Sequence, residues 1–205
     1  MSRPARVALL AITGLVSGML TVVIQSYAVA GFLCAGLVFG VSLGAYFVVS
    51  ERIRPVGLAA AFLVASTAAY LMSLCALMFA WSVSVWVRGI HTDAIELSGP
   101  LLFVGGWVGA VIVLVAGLVL FGPGAALTVR SLGRLALWGL VGAVLGPLGC
   151  ACDSLLMRLM PALRSWNPEG FPAFSVHIGW QTGVALSLGL LLSRKGSSPD
   201  QRLPV

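Results

Sequence analysis

The chain has 205 residues, 60% of them hydrophobic and only 9% charged, with 12 Lys and Arg against 6 Asp and Glu and a net charge of +6. No soluble domain of this size can hide that much apolar surface, so a water-soluble globular fold is excluded. The arginines sit at the ends of apolar runs, which makes the membrane surface, and not nucleic acid, the partner of that charge.

The first 44 uncharged residues run from Val7 to Ser50. A bilayer core about 30 Å thick takes about 20 helical residues at a rise of about 1.5 Å each. The run therefore crosses twice, with spans at about 7–25 and 28–50 and a turn near Gln25-Ser26-Tyr27. Arg3 and Arg6 ahead of apolar sequence, with Ala28-Val29-Ala30 downstream, have the look of a secretory signal. The apolar stretch resumes at once with Gly31-Phe32-Leu33, so the reading is an uncleaved first span.

Two rails at four-residue spacing mark this hairpin, and residues four apart share a helix face. One is polar, Thr13, Ser17, Thr21 and Gln25; the other is bare, Gly36, Gly40 and Gly44, with Gly14 and Gly18 beside the polar rail. Lipid gives helices no hydrophobic reason to associate, so close backbone approach and interhelical hydrogen bonds must hold them.

Glu51-Arg52-Ile53-Arg54-Pro55 ends the hairpin, and the 32 uncharged residues from Val56 to Val87 hold a third span at about 56–80 with an interfacial extension, Trp81 and Trp86 marking the headgroup region. Ser66, Tyr70 and Ser73 share one of its faces and are expected to meet the polar rail of the first span. The loop Arg88–Glu96 leads to a fourth span at about 100–122, with Pro100 at its start, Gly122-Pro123-Gly124 at its end and Gly105 and Gly109 as a packing face. The fifth span, about 135–152, carries Pro147 among glycines, where a kink is expected. Leu156, Met160 and Leu163 then recur at helical spacing and predict a short helix lying in the interface. The sixth span, about 173–193, holds Gly179 and Gly183, and residues 196–205 read as a disordered tail.

Six spans put both termini on one side. That side holds nine of the twelve basic residues and is net +7, while the other is −1. The positive-inside rule then places both termini in the cytoplasm of a cell whose inner membrane holds the chain. The expected fold is an all-α integral membrane protein: a bundle of six transmembrane helices, N-in and C-in, with one interfacial helix between spans five and six. Three spans plus three permit an inverted repeat, but the halves do not align.

The outer face collects the candidate chemistry: His91, Asp93, Asp153 and His177, with Cys150 and Cys152 nearby. No ligand pair among them has a diagnostic metal spacing, and residues two apart on a helix point about 200° from each other, so Cys150 and Cys152 do not share an ion. Five of the six tryptophans, Trp81, Trp86, Trp107, Trp166 and Trp180, fall in the outer half and read as an aromatic belt. Glu96-Leu97-Ser98-Gly99, with His177 on a later span, is similar to the serine and histidine of rhomboid intramembrane proteases, whose motif is Gly-x-Ser-Gly. Glu96 replaces the first glycine, and the second span has no His or Asn to donate to an oxyanion, so the resemblance is not adopted.

No span carries Asp, Glu, Lys or Arg near its middle. A central charge costs about 2.5–3.5 kcal/mol on insertion scales and is kept for function. The interior polar set is limited to Thr13, Ser17, Thr21, Gln25, Ser66, Tyr70, Ser73 and Gln181, which suits helix contacts or the path of a neutral or weakly polar substrate. The expectation is a non-catalytic subunit or assembly partner of a membrane complex, with no metal and no cofactor. Its partners would be the lipid bilayer and other membrane subunits or further copies of itself. A small transporter or channel is the alternative, and an outer-face enzyme near His177 the third reading.

Overall fold

A computed structural model describes residues 2–27, 34–50, 56–88, 94–122, 129–159 and 173–193. These residues form six helices and no strand: α1 (Arg3–Tyr27), α2 (Ala35–Ser50), α3 (Val56–Arg88), α4 (Ala94–Phe121), α5 (Val129–Leu159) and α6 (Ala173–Ser193). All but α2 contain stretches of 18 to 28 residues long and apolar enough to cross a membrane. The described α2 has 16 residues, which is about 24 Å of helix.

Each helix packs on the next in sequence, and α6 closes the ring against α1 while also reaching α4 and α2. The level of each contact fixes the directions. Gly189 faces Val7 and Leu10, whereas Gly18 faces Ile178, so α1 and α6 are antiparallel. The same holds for α2 and α3, where Gly36 faces Tyr70 and Gly44 faces Ala59. Gly105 against Leu77 and Gly109 against Ala69 set α3 against α4 in the same way. The bundle thus runs up and down, and the start of α1 and the end of α6 lie at one end of it.

The core runs along α6 and the inner faces of its neighbours, with Leu10, Phe39, Ala110, Val113, Leu114, Val184, Ala185 and Leu188 buried. At the far end of α2, Phe47 stacks on Phe121 at 3.9 Å and meets Phe62 edge-on. Large apolar side chains also cover the outside: Ile12, Val16, Met19 and Val23 on α1, Met78 and Phe79 on α3, Leu137 on α5.

Several boundaries differ from the sequence reading. α5 continues unbroken through Cys152 to Leu159, where a separate interfacial helix was expected to take over at Asp153. Between Gly149 and Pro161 the sequence has no glycine or proline, and a helix with no breaker has no reason to stop. The rest of that segment, with Met160 and Leu163, lies outside the described residues. α4 starts at Ala94 and takes Pro100 into its second turn. Thr92-Asp93, just upstream, are residues of the N-capping type, and Glu96 suits the positive end of a helix dipole.

Candidate functional site

The polar side chains of the interior fall into two kinds of joint. In the first, a donor on one helix reaches a backbone carbonyl of another, and three of the five acceptors belong to glycines. The Ser66 hydroxyl is shared between the Gly36 carbonyl at 3.1 Å, which joins α3 to α2, and the Leu63 carbonyl of its own helix at 3.0 Å. Ser73 donates to the Gly105 carbonyl at 2.7 Å, joining α3 to α4. Trp107 Nε1 reaches the Ala136 carbonyl at 2.9 Å, and Trp180 Nε1 reaches that of Gly106 at 2.8 Å. Ser187 reaches the Trp138 carbonyl at 3.3 Å.

These bonds are possible because the backbones are close. A Cβ on Gly36 would lie 2.7 Å from Tyr70 Cβ and 2.8 Å from the Ser66 carbonyl oxygen. One on Gly40 would press on Ser66 Oγ, and one on Gly179 on the Leu145 carbonyl oxygen. Gly183 sits against Gly142, glycine to glycine. Gly44 is different: a Cβ there would meet Ala59 at 3.6 Å, an ordinary contact.

The second kind of joint is between side chains, at the meeting of α1, α2 and α6. Gly14 and Gly18 let α1 approach α6 so closely that a Cβ on either would stand 2.6 Å from an α6 atom. Beside them Ser17 is fully buried and Thr21 is 1% exposed. Gln181 on α6, also fully buried, donates from Nε2 to Thr21 Oγ1 at 3.0 Å and lies 3.5 Å from the Ala35 carbonyl in the first turn of α2. Thr21 passes its own proton to the Ser17 carbonyl at 3.0 Å. Two atoms of this group have no hydrogen-bond partner: Ser17 Oγ and Gln181 Oε1. One turn before Gln181, the His177 ring lies 5.9 Å from that of Tyr70 on α3.

The sequence-predicted path is therefore distributed over several joints. Ser17, Thr21 and Gln181 come together. Ser73 turns to the Gly105 carbonyl of α4, and Ser66 lies between the Gly36 carbonyl of α2 and the Leu63 carbonyl of its own helix, so neither meets α1. Thr13 donates to the Leu9 carbonyl of its own helix at 2.8 Å. The Gln25 side chain lies outside the described residues. So do His91, Asp93, and the side chains of Asp153 and Ser98, which leaves His177 as the described member of the outer-face set. Among the described residues no three His, Cys, Asp or Glu come together in a way that could hold a metal.

Sequence reasoning missed three participants. Trp180 is 6% exposed and buried between helices, where an aromatic belt was expected. The available signal was its place: it is seven residues into α6, flanked by Gly179 and Gly183, and large rings inside a span fill the space opposite glycines. The Gly106 and Ala35 carbonyls could not have been found, since a backbone acceptor carries no mark in sequence.

Comparison of the chain with family models, with curated proteins and with solved structures gives no match.

Proposed function

We propose that the chain is a polytopic membrane protein that acts as a non-catalytic subunit or assembly partner of a larger membrane complex. It crosses the inner membrane six times with both termini in the cytoplasm. Support for the even count is the antiparallel pairing of α1 with α6, which sets their outer ends on one side. Support for the second crossing is the uncharged sequence 28–33 ahead of the 16-residue α2. The charge of +7 against −1 supports the orientation.

One observation carries the assembly reading. Ser73 on α3 and Trp180 on α6 donate to the Gly105 and Gly106 carbonyls of α4, and Ser66 lies within reach of the Gly36 carbonyl of α2, all across close glycine contacts. Groups used in this way hold helices together. The outside presents continuous apolar faces on α1, α3 and α5, the surfaces by which a rigid bundle would meet lipid or another subunit.

Extraction in mild detergent, followed by affinity capture and native mass spectrometry, tests this reading. The expected result is a stoichiometric particle larger than one chain. A strictly monomeric particle free of partners overturns it. Single cysteines at Arg54 and Arg130, in a background free of other cysteines, should label from the same side of sealed vesicles; labelling from opposite sides overturns the topology.

A further inference from the structure

Along α5 the packing against α6 changes character at one residue. Up to Leu145 the two helices are seated backbone to backbone. A Cβ on Gly179 would press on the Leu145 carbonyl oxygen, and one on Gly183 would lie 3.0 Å from Gly142 Cα. Earlier in α5, Ser187 reaches the Trp138 carbonyl at 3.3 Å, and Trp107 of α4 reaches that of Ala136 at 2.9 Å. This part of α5 is therefore held from two sides. At Gly146 the contact with α6 opens. A Cβ there would have nothing nearer than Trp180 Cβ and Val176, both at 3.9 Å, which is an ordinary contact. Close packing does not explain this glycine.

The next residue is Pro147, inside the helix. Proline has no N–H to give to the carbonyl of Ala143, and its ring crowds that oxygen, so the hydrogen-bond ladder is interrupted where the packing loosens. A side chain on the residue before a proline clashes with the ring in the helical conformation; glycine has none and moves freely in and out of it. The neighbour also ends close by. Gly179 is level with Leu145, so Ala173, six residues earlier in α6, is level with Ala151, six residues later in α5. From there α5 continues to Leu159, past the start of α6.

We propose that Gly146-Pro147 is a hinge that divides α5 into an anchored rod, residues 129–145, and a distal rod, residues 148–159, which swings as a unit and gives this end of the bundle a closed and an open form. The loosened contact, the interrupted ladder and the start of α6 coincide within about two turns of helix, and a hinge accounts for all three. In the closed form, the one described, the hinge rests beside Val176 and Trp180. In the open form the distal rod moves off the first turns of α6 and leaves Val176 more exposed. The hinge adds a moving part to an otherwise locked bundle. It does not rest on the assembly reading, since an isolated chain bends in the same way.

The test is double electron–electron resonance on the full chain in phosphatidylcholine nanodiscs, with the native cysteines replaced by serine. A spin label at Arg158 reports the distal rod and one at Leu137 the anchored rod, each paired with a label at the exposed Met72 of α3. The expected distance distribution from Arg158 is two-peaked or about twice as wide as that from Leu137. Gly146→Ala combined with Pro147→Ala restores a continuous helix and should narrow the Arg158 distribution to the Leu137 width while leaving the Leu137 distribution unchanged. Equal widths in the parent overturn the hinge. So does a broad Arg158 distribution that survives the double substitution, which would assign the motion to fraying of the helix end. The Leu137 distribution is also the check on folding. If the double variant alters it, Gly146→Ala alone carries the test, because its Cβ finds room. That variant should narrow the Arg158 distribution, and no narrowing overturns the proposal.

Discussion

The α3–α4–α5 side of the bundle and the α1–α2–α6 side are made of the same materials, small residues and a few hydroxyls and amides, and they use them differently. On the first side, each described interhelical bond ends on a backbone carbonyl: Ser73 on Gly105, Trp107 on Ala136. On the second, Gln181 bonds a side chain, Thr21, and leaves its own Oε1 and the Ser17 hydroxyl unmatched. A carbonyl is fixed by the helix that carries it, so a serine placed opposite a glycine is satisfied by packing alone. A side-chain pair needs both rotamers to agree, and one amide cannot place both its ends. The first side is closed and the second keeps spare hydrogen-bonding capacity in a water-poor interior.

Four predictions, on six substitutions, break or sharpen this contrast. The largest effect is expected where a methyl would meet backbone. Gly14→Ala puts a Cβ 2.6 Å from the Gln181 carbonyl oxygen, and Gly179→Ala puts one onto that of Leu145. Each should cost about 3 kcal/mol, the upper part of the overpacking range, in equilibrium unfolding from mixed micelles. A cost below about 1 kcal/mol would mean that the helices are less closely seated than described.

Ser73→Ala comes next. It removes the 2.7 Å bond to Gly105 and should cost about 1 kcal/mol, as interhelical bonds in membranes do. Gly44→Ala is the opposite case within one rail. Its Cβ meets Ala59 at ordinary distance, so the better helix former should leave stability unchanged or raise it by up to about 1 kcal/mol, while Gly36→Ala destabilises. Ser17→Ala is the smallest. Because its buried hydroxyl has no partner, its loss should leave stability unchanged or raise it by up to about 0.5 kcal/mol. Equal costs for Ser17→Ala and Ser73→Ala would erase the distinction between the two sides.

How much of this could be read from the residues differs from place to place. Six apolar runs bounded by Arg, Pro and Gly are visible in the chain, and six helices occupy them. The ends were less legible. α3 runs to Arg88, where 32 uncharged residues to Val87 allowed an interfacial extension, and α5 runs through Pro147 and Cys152 to Leu159, into the stretch read as a separate interfacial helix. The glycine positions at Gly14, Gly18, Gly36 and Gly40 were legible as small faces, but what faces them was not.

By itself the sequence determined the helical period and the apolar character of the helices, five of which are long and apolar enough to cross a membrane. Sixty percent apolar residues in long uncharged runs admit few other arrangements. It also determined where backbones can approach, since only glycine and alanine leave the room. Tertiary structure alone decided which helix fills each gap, and so which polar groups find a partner. Ser66, Tyr70 and Ser73 lie on one face of α3 yet turn to three different neighbours: α2, α6 and α4. That choice depends on the height and rotation of each helix against the next, which are properties of the packed bundle and of no single stretch of chain.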